Sequence, residues 1–336
     1  MTAPTPRPRT RPSTQSPAAA GAPRWRSALQ LLVLAMALAF AARALTRNWE
    51  ETRAVAAEVV PDWPWIVLAS AIVLLTHASL VQCWRALLEG WDSAPSYWTS
   101  VRIWTISNFG KYLPGKVWSI LALKILAGRE GVSGIAATSA AIMGTLVNIG
   151  AGFGIAAISG AGALDALNPS ARGVAVVGAV LFLAGTAAIP WLLPRMVAWF
   201  VARRGLPPVQ RHLAPSRLWT VTAVHALSWV GYGLAFLAFS KGITPQVTGN
   251  AAAFITVYTI SYLAGYLFLP APGGIGIREW ALVTMLVSLR MCSLPEATVL
   301  ALASRVWITI LEITPGLIAL LFTARDRSRP PSLTTP

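Results

Sequence analysis

The sequence predicts an all-α polytopic membrane protein with about six full spans and two re-entrant hairpins broken at Pro and Gly. Three observations predict it. Hydrophobic residues make up 55 % of the 336-residue chain and charged residues only 12 %, whereas a soluble domain carries about 25 % charged residues. Several apolar runs reach the roughly 20 residues that a helix needs to cross a bilayer core. The runs are continuous rather than alternating, and only helices and closed barrels satisfy their backbone in lipid, so the spans are helices.

The formal net charge is +15. Its distribution excludes nucleic acid as the partner. The Arg residues sit in the N-terminal tail, in one loop and in the C-terminal tail, always beside apolar runs. That is the pattern of cytoplasmic flanks under the positive-inside rule. The two cysteines, Cys83 and Cys292, have no CxxC spacing. The topology below places them near opposite membrane faces, so no disulfide is expected, and they read as packing residues.

Residues 1–23 interleave Pro4, Pro6, Pro8 and Pro12 with Arg7, Arg9 and Arg11, a composition that builds no core. They read as a disordered tail ahead of a single transmembrane domain, 24–324, with a cytoplasmic tail at 325–336. The run Ser27–Leu45 is long for a signal-peptide core and lacks a convincing cleavage site, so it reads as the first span. The second covers about Trp65–Trp84. Between them Glu50, Glu51, Glu58 and Asp62 outweigh Arg47 and Arg53, which suits the outer side, with Trp63 and Trp65 as interfacial anchors.

From Tyr97 to Ala127, two apolar stretches too short to span comfortably flank Lys111-Tyr112-Leu113-Pro114-Gly115-Lys116. Pro removes a backbone donor and Gly loosens a helix, so this is a break. Full spans follow at about Val132–Ile158 and Val174–Leu193. Next comes a loop holding Arg195, Arg203, Arg204, Arg211 and Arg217 without an acid. A span at Leu218–Ser240 leads to a second broken segment, Ala251–Leu289, interrupted at Pro270-Ala271-Pro272-Gly273-Gly274. The last span lies within Leu294–Thr323, with Pro315 as a kink, and Arg325, Arg327 and Arg329 close the chain.

Charge decides the topology. If each broken segment enters and leaves on one side, both termini and the Arg195–Arg217 loop are cytoplasmic. If the first crosses once, the most basic loop falls outside, against the positive-inside rule. Irregular backbone at membrane depth survives only where protein or a watery cavity surrounds it, so the breaks point to a site.

The two broken segments are alike. TISNFGKYLPGK (105–116) and TISYLAGYLFLPAPGG (259–274) both open on Thr-Ile-Ser, pass a Gly and a Tyr-Leu pair, and break at Leu-Pro before Gly. The span before each carries His-Ala, as His77-Ala78 and His225-Ala226. With hairpins dipping from opposite sides this is an inverted repeat of halves 65–158 and 218–323, an architecture that handles substrate between its halves.

The candidate headgroup-binding residues follow from the breaks. Lys111 and Lys116 flank Pro114 and Gly115. Buried cations in a membrane are costly and functional, but near the bilayer edge lysines also snorkel to headgroups. Both readings place ammonium groups near lipid phosphates. Gly273, Gly274 and Gly276 leave backbone N–H groups open at a helix start, where an anion can bind. Arg278 there adds a charge-assisted contact, or else pairs internally with Glu279. Arg305 and Glu312, seven residues apart on one helical face, need partners at that depth. Arg305 with Glu279, and Glu312 with Arg278 or a Lys, are the pairs expected.

His77 and His225 read as polar packing residues, with proton relay as the alternative. Gly150 and Gly154 read as a GxxxG packing surface, and Asn108 and Asn148 as inter-helix hydrogen-bonding groups. No HExxH, GxSxG, P-loop lysine or paired metal ligands occur, so neither catalysis nor a cofactor is expected.

At these segments the sequence resembles the family named for the transmembrane region of lysylphosphatidylglycerol synthase, the flippase-like membrane proteins. The resemblance rests on SNFGKYLPGKVW (107–118) with the following GREGVS, and on LPAPGGIGIREW (269–280) followed by SRVW around Arg305. It implies translocation of lipids, or of lipid-linked headgroups, across the cytoplasmic membrane. Bifunctional members carry a soluble aminoacyltransferase domain after the helices. This chain ends soon after the last span, so it is not expected to attach lysine to phosphatidylglycerol. The leading expectation is a translocator of phosphate-bearing lipid headgroups. The alternative is a non-transporting subunit that anchors or regulates a separate lipid- or glycan-modifying enzyme through the basic loop.

Overall fold

The computed structural model describes residues 49–90, 94–113, 117–165, 169–203, 214–268 and 271–328. The tail 1–23, the predicted span Ser27–Leu45, Pro114, Gly115, Lys116, Pro270, and the loop positions Arg204, Arg211 and His212 lie outside the described residues. All regular structure within them is helical. A short polar helix, α1 (Trp49–Glu58), precedes α2 (Trp63–Glu89). The first broken segment forms α3 (Tyr97–Ser107), a 3₁₀ turn (Asn108–Tyr112) and α4 (Val117–Arg129). Then come α5 (Gly134–Asp165), α6 (Pro169–Arg203) and α7 (Pro215–Ile243). The second broken segment forms α8 (Ala251–Leu267), a 3₁₀ turn (Pro272–Gly274) and α9 (Ile277–Ser288), and α10 (Leu294–Ser328) ends the fold.

Helices α2, α5, α7 and α10 are long and apolar enough to cross a membrane. α6, at 35 residues, is roughly 52 Å long at 1.5 Å per residue. The predicted elements that fall within the described residues are present as helices, and α2, α6 and α7 run past both of their expected ends. α10 runs on through Arg325 and Arg327 to Ser328, past the expected Thr323, because nothing after the tolerated Pro315 stops it.

Local sequence sets the starts. Pro64 occupies the first turn of α2 and Pro215 that of α7, where the missing N–H is an orphan anyway. Ser96 caps α3 by accepting from Thr99 N (3.2 Å), and Asn250 caps α8 by accepting from Ala253 N (2.9 Å). The breaks are equally local. Leu113 precedes Pro114 and sits at φ −88°, ψ 143°, the extended region to which a following proline confines it.

The order long helix, short arm, break, short arm, long helix occurs twice. The leading long helices of the two sets, α2 and α7, pack antiparallel. Asp62 N–H donates to Gly242 O (2.9 Å) at one end, Gly231 faces Thr76 midway, and Arg217 reaches Glu89 (3.5 Å) at the other end. The first arms are exchanged: α3 packs on α10, and α8 packs on α5. Ser159 and Thr256 share a 2.8 Å hydrogen bond across the α5–α8 contact. On the α10 side, Gly316 lies against the Phe109 ring at the end of the first arm. Antiparallel partners with reciprocally swapped arms are the packing an inverted repeat produces.

Lipid is as apolar as a leucine core, so helix association here rests on close packing and hydrogen bonds. Leu87, Leu88, Ile103 and Met143 fill the space between α2, α3 and α5. Phe236, Phe254, Tyr258 and Leu282 do the same among α7, α8 and α9. The expected Gly150/Gly154 surface is half right. Gly154 lies against Phe182 of α6, but a Cβ at Gly150 would meet open space. The second close contact is Gly152, against the Trp229 ring. Residues 152 and 154 face different neighbours, which a four-residue spacing rule does not foresee. Cys83 is buried and Cys292 partly buried, and both are free thiols.

Candidate functional site

The first hairpin closes on a glycine. A Cβ at Gly110 would run into the backbone of Trp118 and Ser119 on the returning arm. The repeat of Thr-Ile-Ser now has a reason. Ser107 Oγ donates to Trp104 O and Ser261 Oγ to Tyr258 O, both at 2.9 Å, so each hydroxyl is satisfied within its own arm. In the second hairpin the matching close approach is Gly265 against Gly274.

Lys111 and Tyr112, at the first tip, both bind Glu312 of α10. Lys111 Nζ lies 2.6 Å from Oε1, and Tyr112 OH donates to Oε2 at 2.9 Å. Lys111 therefore points inward rather than snorkelling to the membrane surface. In the second hairpin Gly273, Gly274 and Gly276 all have positive φ, which only glycine adopts readily. They turn the chain so that α9 starts at the tip. The sequence reading expected their amides to be open, and two of them are not. Gly274 N–H donates to Ala271 O (3.1 Å), and Gly276 N–H donates to Glu279 Oε2 (2.6 Å) in a capping interaction. A helix start satisfies its own orphan donors when an acid stands at its third position.

Of the two pairings expected for Glu279, the structure has the one with Arg305, at 3.6 Å. Arg278 makes no ion pair among the described residues. It is only 5 % exposed, donates to Tyr258 OH (3.1 Å), and stacks over the rings of Tyr258 and Tyr262 at 5.1 and 5.0 Å. Aromatic faces and a phenol hold this cation without neutralising it.

These groups surround one cavity of about 260 Å³. At roughly 30 Å³ per water, it takes on the order of nine waters. Both hairpin tips reach it, and they touch: a Cβ on Gly273 would lie 3.0 Å from Arg305 Nη2 and 3.5 Å from Tyr112 Cδ1. Lys111, Arg278, Arg305 and Glu312 line the cavity, and Glu279 stands behind Arg305. Three cations face two carboxylates, so the described residues leave one positive charge, carried by Arg278. His77 and His225 line the same space. His77 lies beside Trp104 and Tyr232, and His225 Nδ1 is 2.7 Å from Val221 O. Among the described residues no cluster of His, Cys, Asp or Glu is arranged to hold a metal.

The structure thus brings together Lys111, Gly273, Gly274, Arg278, Arg305 and Glu312, with Gly276 and Glu279 just behind. Pro114, Gly115 and Lys116 lie outside the described residues. Asn108 lines the cavity, and Asn148 links helices through its backbone carbonyl, which accepts from Trp229 Nε1 (2.9 Å). Sequence reasoning missed the aromatic wall of Trp229, Tyr232, Tyr262 and Tyr266. Its signal was present: Tyr258, Tyr262 and Tyr266 recur every four residues and so share one face of α8.

A family model described as the lysylphosphatidylglycerol synthase TM region matches residues 27–316. No curated protein matches the chain significantly.

Proposed function

The chain belongs to the lysylphosphatidylglycerol synthase TM-region family, and from that premise we propose that it translocates phospholipids or lipid-linked headgroups across the cytoplasmic membrane. The observation that carries this reading is the cavity where the two broken hairpins meet, with Arg278 as a buried cation that makes no ion pair among the described residues. An intramembrane cation of this kind marks a substrate path, and its complement is a phosphate. Lys111 and Arg305 supply further phosphate contacts when they exchange Glu312 and Glu279 for the ligand. The lipid tails stay in the bilayer while the headgroup passes between the halves 65–158 and 218–323.

In this reading the protein performs no chemistry on the lipid, and its partners are the membrane lipids themselves. Both termini and the Arg195–Arg217 loop face the cytoplasm, on the strength of their arginines. Pure protein in liposomes loaded with fluorescent phospholipids tests the proposal. Flipping without any other protein is expected. Flipping that appears only with a co-purifying enzyme would overturn it in favour of a subunit that serves such an enzyme.

A further inference from the structure

A second cavity, about 670 Å³, opens away from the central one, between α2, the start of α3 and the start of α7. Its floor is small and apolar: Ala78, Cys83 and Ala86 on one face of α2, with Val221 and Val224 on one face of α7. Its rim is polar and carries Gln82, Thr220 and Arg217. The volume lies within the roughly 300–1,000 Å³ of small-molecule sites.

Among the described residues the charge at its mouth is unbalanced. Glu89 Oε1 binds Arg85 Nη1 at 3.1 Å, and Glu89 Oε2 lies 3.5 Å from Arg217 Nη2. Two guanidiniums share one carboxylate among the described residues, and the Arg217 contact is the looser. Arg85 is further held by Pro95 O, at 2.9 Å from its Nε. Arg217 is therefore the cation with donors to spare.

The depth of the mouth is marked as well. Trp98, at the start of α3, and Trp219, at the start of α7, are 77 % and 49 % exposed. Exposed Trp side chains at helix ends mark the headgroup level of a bilayer. Because α2 and α7 are antiparallel, Glu89 and Arg217 share that level, and Ala78 and Val224 lie deeper. From residue 89 to residue 78 the groove descends roughly 16 Å at 1.5 Å per residue. A fixed cation at headgroup level above an apolar trough is complementary to an amphiphile with an anionic head and an acyl chain, and in a bilayer the abundant one is a phospholipid.

We propose that this groove is a binding site for an anionic phospholipid of the leaflet on the basic-loop side, with its phosphate on Arg217 and one acyl chain along Cys83, Ala86, Val221 and Val224. The site is separate from the translocation cavity and does not depend on the reading given for it.

The test uses the purified full chain in detergent, titrated with dioctanoyl phosphatidylglycerol, dioctanoyl phosphatidylcholine or inorganic phosphate, with bound molecules counted by native mass spectrometry. Arg217→Gln is expected to weaken phosphatidylglycerol binding roughly tenfold, since a hydrogen bond to a charged group is worth about that. Arg217→Lys is expected to recover part of it. Ala86→Trp fills the trough, keeps the charge, and is expected to abolish the same binding event. Unchanged thermal unfolding in each variant separates lost binding from lost fold. In the Arg278→Gln variant, which alters only the central cavity, the groove-bound lipid is expected to remain. Phosphatidylglycerol bound equally by Arg217→Gln would overturn the proposal. So would Ala86→Trp retaining the lipid, inorganic phosphate displacing it at matched concentration, or Arg278→Gln alone removing it.

Discussion

Lys111 and Glu312 are joined at 2.6 Å although they stand on separate parts of the chain, one at the tip of the first hairpin and one deep in the last helix. Glu312 uses its second oxygen for Tyr112 OH. Seven residues earlier on the same helical face, Arg305 takes Glu279 of the second hairpin. α10 therefore holds both hairpins by charges of opposite sign. On the proposed function, a phosphate entering the cavity would compete with Glu312 for Lys111 and with Glu279 for Arg305, and one ligand charge would loosen both hairpins.

Breaking the first of these pairs is expected to be costly. Removing one partner of a buried ion pair destabilises by about 3–5 kcal/mol. Lys111 keeps 24 % of its side chain exposed to the cavity, which places the expected loss nearer about 2 kcal/mol after solvent screening. Lys111→Met and Glu312→Gln should each lower the melting temperature in detergent. The double variant should lose clearly less than both added together. Additive losses would show that the contact contributes nothing as a pair.

Arg278 should behave differently because no carboxylate depends on it. Arg278→Gln removes the Tyr258 hydrogen bond and the ring contacts, together about 1–3 kcal/mol. Capture of anionic lipid in the central cavity should fall at least about tenfold. Arg278→Lys should recover only part of that, because lysine keeps the charge and loses the planar fork. Thermal stability measured beside lipid binding checks both. Unchanged binding in stable Arg278→Gln protein would remove the anion reading of the cavity.

The identity of Glu279's partner gives a third expectation. Glu279→Gln combined with Arg305→Gln should show a coupling of about 0.5–3 kcal/mol in a double-mutant cycle. Combined with a change at Arg278, which has no ion pair to Glu279 but stands beside it in the chain, Arg278→Gln, the coupling should be clearly smaller. Melting curves of the two cycles decide it, and the reverse pattern would mean that Glu279 serves Arg278.

Hairpin closure makes a fourth. Gly110→Ala and Gly265→Ala place a methyl group against backbone or against the Arg278 Cβ, and overpacking of that kind costs about 1–3 kcal/mol. Gly150→Ala meets open space and should stay within about 0.5 kcal/mol of the parent. Pro114→Ala with Gly115→Ala should straighten the break. Membrane insertion should survive in all of them, while lipid flipping falls in the hairpin variants and persists in Gly150→Ala.

A fifth concerns orientation. Arg204→Cys, in a background without Cys83 and Cys292, should resist an impermeant thiol reagent applied to intact cells if the positive-inside rule sets the side of the arginine-rich loop. Labelling from outside would reverse the topology.

Class, the helices within the described residues and the breaks were legible in the sequence because each depends on local chemistry. Hydropathy over about 20 residues marks a span, and Pro114 constrains Leu113 wherever the rest of the chain lies. The repeat was legible for the same reason, since Gly110 and Gly265 answer the same need in two places. The partners were only partly legible. Opposite charges near the breaks suggested Arg305 with Glu279, and a lysine for Glu312. That Tyr112 joins Glu312, and that Glu279 Oε2 rather than a ligand takes the Gly276 N–H, were settled by side-chain directions. The environment of Arg278 was the least accessible. Tyr258 and Tyr262 stand about twenty residues earlier on another helix, and nothing in the sequence says which face of α8 turns toward α9. Local sequence determined where the backbone breaks and which charges are buried. Packing of α8 against α9 decided that one of those charges stays unneutralised, because the tertiary contact gave it aromatic faces in place of a carboxylate.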